Sequence, residues 1–166
     1  MIKVLNIVFL TIILNSCEIN KNDMTIVDIT MDISYTDSNS TDLLDPLNDE
    51  AFDKDLIKIY HLNNGIKELF YQSHLTSPKG YLIFKEENFM DKHYMKLSQP
   101  KDYNNDSNEI LFEATTLIEL NETVIDTITC LFEKGENSLV CKQVQYNGNI
   151  VWDWDDNTVR KFTIIK

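Results

Sequence analysis

Glycine and proline are scarce in this chain of 166 residues, with 4 Gly and 3 Pro. That excludes collagen-like repeats and long low-complexity linkers. Cysteine is scarcer still: Cys17, Cys130 and Cys141, with no Cys-x-x-Cys pair. The 3 histidines, His61, His74 and His93, stand far apart, none at metal-ligand spacing from another, and read as isolated surface or edge residues. No metal site is expected from either residue type. There is no Gly-x-Ser-x-Gly elbow, no glycine-rich phosphate loop and no His-Glu-x-x-His. Triads are defined by geometry, so this points away from an enzyme without excluding one. Positive charge is also short: Lys+Arg number 15 against 27 Asp+Glu, a net charge of −12. Such a body repels nucleic acid phosphates and anionic lipid heads. Nucleic acid is therefore not an expected partner, and no cofactor is expected.

What is present begins at the N-terminus. Lys3 precedes an apolar run, Val4 to Leu14, broken only by Asn6 and Thr11. It is too short to cross a bilayer and suits the apolar region of a signal peptide. The run ends in Leu14-Asn15-Ser16-Cys17, which resembles the lipobox of bacterial lipoproteins. That resemblance implies removal of residues 1–16 as signal peptide and acylation of Cys17. An ordinary secretory signal with a chance cysteine is the alternative. Two or more acyl chains hold a protein where one does not. Residues 17–23 then form the lipidated cysteine and a polar tether, and residues 24–166 a single domain. Lys21 and Asp23 resemble the signal that sends Bacteroidetes-type lipoproteins to the cell surface, and read equally as a solvated linker. The expected location is the cell envelope, anchored to the outer membrane, with the membrane face left open.

From Thr25 the pattern is β. Val27, Ile29, Met31 and Ile33 alternate with Asp28, Thr30 and Asp32, a strand with one wet side. Residues 35–55 form a long polar connection in which Leu43 and Leu44 are expected to plug the core. A short helical turn is expected near Asp49–Asp53. Further strands are expected over 56–62, 66–71, 81–85, 109–119, 126–133, 139–146 and 160–165, with a weaker one over 94–97. Asn63-Asn64-Gly65 and Asn147-Gly148 are turn signals, the latter folding residues 144–146 onto 149–152. Eight to nine short strands without a helical period predict an all-β domain, an antiparallel, immunoglobulin-like β-sandwich.

The order of these features resembles a family of small Bacteroidetes-type outer-membrane lipoproteins of unassigned function. It rests on Asp42-Leu43-Leu44-Asp45-Pro46, Ile57-Lys58-Ile59-Tyr60, Thr116-Leu117-Ile118-Glu119-Leu120, Asp126-Thr127-Ile128, the run Val144 to Trp152, and the end Phe162 to Lys166. The resemblance implies compartment and fold and supplies no catalytic residues. Asp126-Thr127-Ile128 also resembles the site that such bacteria O-glycosylate on threonine, which singles out Thr127; an ordinary strand threonine is the alternative.

With Gly135-Glu136 as a two-residue turn, Cys130 falls opposite Cys141. They would form a hydrogen-bonded pair with Cα atoms about 5.5 Å apart, within reach of a disulfide. Two reduced, buried cysteines are the competing reading. Trp152-Asp153-Trp154 puts both indoles on one side if extended. With Asp153 and Asp155 they make a candidate ligand patch, where an indole stacks on a sugar and carboxylates take its hydroxyl protons. Core anchoring is the alternative for either tryptophan. The other acids, Asp42, Asp45, Asp49, Glu50, Asp53 and Asp55, read as solvated surface. The expected function is a lipid-anchored, non-catalytic binding or assembly module whose partner is an envelope protein or glycan. The alternative is a carbohydrate-binding or carbohydrate-active accessory.

Overall fold

A computed structural model of the chain describes residues 26–86, 92–98 and 110–166. The signal segment, Cys17 and the tether lie outside the described residues. Among the described residues there are eleven strands: β1 (Ile26–Asp28), β2 (Thr30–Thr36), β3 (Lys58–Asn63), β4 (Ile66–Leu69), β5 (Tyr81–Lys85), β6 (His93–Ser98), β7 (Leu111–Glu119), β8 (Ile125–Lys134), β9 (Ser138–Tyr146), β10 (Asn149–Asp153) and β11 (Lys161–Ile165). They form an all-β fold of two sheets, consistent with a β-sandwich. The larger runs β1-β9-β8-β7-β3-β4, with β10 also on β9; the smaller runs β11-β2-β6-β5.

Local chemistry explains the hairpins. Asn64 and Gly65 (φ 50° and 79°) turn β3 into β4, and Asn147 and Gly148 (φ 47° and 83°) turn β9 into β10. Both pairs take the left-handed conformations that a type I′ turn requires, which asparagine and glycine tolerate best. Alternation explains the core. Met31, Ile33 and Tyr35 of β2, with Met95 and Leu97 of β6, meet Ile59, Ile118, Ile128 and Phe132 from the larger sheet. Leu43 and Leu44 do plug this core from the long connection. No helix forms over residues 49–53: a turn at 49–50 passes through a bend at 51 into irregular chain.

Four further expectations change. The strand count is eleven among the described residues, not eight or nine. The run expected as one strand breaks at Ile29: β1 joins the larger sheet and β2 the smaller. The weak candidate near Tyr94 is a full core strand. The pairing is also not purely antiparallel, since β1 runs parallel to β9 and β11 parallel to β2. Both parallel pairs join segments far apart in sequence, which no hairpin signal reports.

Candidate functional site

β1 and β10 share one edge of β9. β1 covers Ser138–Val140 and β10 covers Gln143–Tyr146. Lys142 is an extra residue on β9 at a bulge opposite the Leu131–Phe132 step. Between the two partner strands the carbonyl of Cys141 is left over, and Arg160 takes it. Its Nη2 donates to Cys141 O at 3.2 Å, and its Nη1 to Thr30 O at 2.6 Å. The same guanidinium grips Asp28 with both nitrogens, at 3.0 and 3.2 Å. It also lies over the Trp152 ring, 4.4 Å from the centroid. Arg160 therefore pins the point where the chain passes from one sheet to the other.

In front of this clamp is a half-open cleft of about 500 Å³. Its volume lies in the range of roughly 300–1,000 Å³ typical of small-molecule sites. Asp28, Thr30 and Asp32, the wet side of the β1–β2 run, line it together with Lys96, Arg160 and Trp154. Trp152 forms part of the wall and is only 6% exposed. Its indole N–H is satisfied by Thr158 O at 3.1 Å. Trp154 begins a 3₁₀ turn (Trp154–Asp156), is 45% exposed, and carries the Lys142 ammonium 4.4 Å from its ring centroid. Lys161 also lines the cleft and pairs with Glu86.

The structure thus brings Trp152 and Trp154 to one cleft but not their neighbouring acids. Asp153 is a cap: its Oδ1 accepts the backbone N–H of Asp155 at 3.0 Å, and its Oδ2 accepts from Gln143 at 2.8 Å. The Gln143 and Asp155 hydrogen bonds hold the Asp153 carboxyl below its usual range. Asp155 is exposed beside it and does not line the cleft. The carboxylates of the cleft are Asp28 and Asp32 instead. Their signal in the sequence was the polar half of the strand alternation, which reads as facing bulk water. Arg160 carried no signal; its neighbours come from four different strands, β1, β2, β9 and β10.

The two cysteines are not directly opposite. The turn centres on Glu136-Asn137, with the Gly135 N–H donating to Ser138 O at 2.9 Å. This shift and the bulge put Cys130 opposite Val144, and Cys141 opposite Phe132. Both are free thiols, fully buried in the core. Their sulfurs interact: contact with Cys141 and burial push the Cys130 thiol up, while contact with Cys130 draws Cys141 down. Thr127 lies in paired strand opposite Leu117, and its N–H donates to Asn147 Oδ1 at 2.8 Å. Its neighbour Asp126 is buried and bound by Lys166 and Tyr146.

His93 corrects the reading of isolated surface histidines. It is buried, and Asp42 Oδ2 lies 2.9 Å from its Nδ1 and accepts its backbone N–H at 2.7 Å. Asp42, Asp45 and Asp53 also accept backbone N–H groups two residues ahead, so these acids build turns. Among the described residues no group of three or more His, Cys, Asp or Glu is placed to hold a metal ion. Among them, too, no helix is long and apolar enough to cross a membrane. Comparison with protein-family models, with curated proteins and with solved structures gives no match.

Proposed function

We propose that this chain is a lipid-anchored lipoprotein of the cell envelope, held by acyl chains on Cys17, and that it acts as a non-catalytic binding module. The cleft between Trp154 and Arg160 carries this reading. It is the size of a ligand site and is walled by aromatic, acidic and basic side chains. Among the described residues that line it there is no serine, cysteine, histidine or glutamate, so a Ser-His or Cys-His nucleophile pair has no support there. Both oxygens of Asp28 are taken by Arg160. That leaves Asp32 without the second open carboxylate a glycosidase would use. We read the scaffold as an immunoglobulin-like sandwich whose open end presents the cleft; the two facing sheets support it.

A carbohydrate-active accessory is the second reading, favoured by the half-exposed Trp154 indole beside Asp32. One screen separates the two. The full chain is offered polysaccharides, peptides and soluble envelope extracts, and both tryptophan emission and bond cleavage are followed. Binding without products supports the module. Reproducible turnover that disappears in Asp32→Asn overturns it.

A further inference from the structure

The face of the larger sheet turned away from the core carries no charge at its centre. Ile59, Ile118, Ile128 and Phe132 belong to the core, so their neighbours along each strand point outward. Four of these neighbours, Tyr60, Leu62, Leu117 and Leu131, are apolar and half-buried, yet none of them belongs to the core or packs against it. Pairing sets them in rows. Leu69, Tyr60, Leu117 and Thr127 lie abreast across β4, β3, β7 and β8. Two residues along, Leu62, Thr115, Thr129 and Gln145 lie abreast across β3, β7, β8 and β9. The Thr115 and Thr129 hydroxyls bond each other at 3.2 Å, so this centre makes little demand on water. An outer sheet face in a chain that is 25% charged would ordinarily carry charge. A charge-depleted, partly apolar centre is what a protein contact has.

The charges stand at the two ends of this band and differ in sign. At one end Lys58 and Lys67 both pair with Glu119, at 2.8 and 3.3 Å. Lys67 starts beside Leu62 and leans over the Tyr60 ring towards that end. At the other end Glu113 is exposed, and Glu133 and Asp153 stand with one lysine, Lys142, whose Nζ is 3.6 Å from Glu133.

This pattern is self-complementary. A half-turn about an axis lying across the strands lays one face on another with strand directions reversed. It sets the lysine end of each copy over the acidic end of the other, and band over band. A net charge of −12 disfavours other encounters between copies. The size fits a reversible contact. Five strands about 4.8 Å apart, by seven residues at about 3.3 Å, give a footprint of roughly 550 Å² per copy. Two copies would bury roughly 1,100 Å², just above the floor of about 1,000 Å² for a specific interface.

We infer that two copies of this chain meet through the outer face of the larger sheet, strands reversed, with the Lys58–Lys67 end of each against the Glu113–Glu133 end of the other. This surface is separate from the cleft, and its failure leaves the binding-module reading untouched.

The test is sedimentation equilibrium of the full chain in a density-matched, uncharged detergent. Concentrations run from about 1 to 200 µM, suited to a contact this small. A reversible monomer–dimer equilibrium is expected. Each substitution enters a two-fold interface twice, so Leu117→Glu should weaken the dimer by about tenfold or more. Thr129→Glu, in the same band, is the second variant if Leu117→Glu lowers the thermal midpoint. Leu82→Glu, on the smaller sheet and 51% exposed in the parent, should leave the dimer unchanged. Glu113→Lys fixes the orientation. It should weaken the dimer by about threefold or more, although it lowers the net charge, because it faces Lys58 and Lys67. Were like ends to meet, the same change would relieve repulsion and tighten the dimer. Monomer alone across the range overturns the inference. A dimer untouched by the band substitutions places the contact elsewhere and overturns it too. A Glu113→Lys dimer as tight as the parent or tighter overturns the reversed arrangement.

Discussion

Arg160→Met deletes every donor of the clamp but keeps an apolar stem against Trp152. The carbonyl of Cys141, in a fully buried residue between β1 and β10, loses its partner. An unsatisfied buried acceptor costs about 1–3 kcal/mol. The bond to Thr30 O lies near the surface, so water partly replaces it, at about 1 kcal/mol. Loss of the cation over Trp152 removes about another 1 kcal/mol. Asp28 is 48% exposed and regains water, so its share stays below about 1 kcal/mol. The expected destabilisation is about 4 kcal/mol, a large part of the roughly 5–15 kcal/mol that holds a domain together. At about 2–4 °C per kcal/mol, the thermal midpoint should fall by roughly 8–16 °C. Urea unfolding followed by tryptophan emission measures the free energy directly. Asp28→Asn is the control: it keeps an acceptor for the guanidinium and leaves both carbonyl bonds, so it should cost less than Arg160→Met. A Met variant within about 1 kcal/mol of the parent refutes the assignment of the clamp as a structural pin. An Asp28→Asn variant as unstable as Arg160→Met would shift the stabilisation from the carbonyls to the ion pair.

Cys17→Ser should abolish retention in washed membranes if the proposed acyl chains supply the hold; a variant that partitions like the parent rejects the lipobox reading. His61 packs against Phe70 and bonds Thr116 Oγ1 at 3.1 Å, and burial lowers its pKa. The unfolded chain therefore binds its proton more readily than the folded one, starting near the ordinary value of about 6.5. Stability from this residue is complete above that pH and is lost as pH falls towards the folded value. His61→Gln should flatten the decline in unfolding free energy between pH 7 and pH 5, and an unchanged slope rejects the account. In protein exported to an oxidising compartment, Cys130 and Cys141 should join, since both are fully buried on the core side of the paired strands β8 and β9. The unreduced protein would then weigh two hydrogens less, and two thiols alkylated after unfolding without reductant would count against the bond.

Much of the fold was legible locally. Asn64-Gly65 and Asn147-Gly148 announce their turns because few residues accept positive φ at both central positions. Ile29, Met31 and Ile33 announce a buried face because side chains alternate with period two, but Val27 of the same alternation is exposed, and Tyr35, read as connection, is buried at the end of β2. Leu43 and Leu44 stand out as the apolar pair in a polar connection, and they are buried. These signals act within a few residues, so one chain displays them. Partner choice does not act within a few residues. Nothing near Ile29 states that the chain changes sheets there. Nothing near Lys142 states that β9 carries an extra residue, and that residue, together with the turn centred on Glu136-Asn137, displaces the cysteine register. The ligand patch shows the same division. Sequence singled out Trp152 and Trp154 because indoles are rare and were adjacent. It assigned them Asp153 and Asp155 because these stand next in the chain. Folding spends Asp153 on the cap of the 3₁₀ turn and brings up Asp28 instead, 132 positions from the Arg160 that holds it. Side-chain type and turn chemistry are properties of the chain; which carboxylate meets which indole is a property of sheet pairing, decided by long-range burial and hydrogen bonding in the tertiary structure.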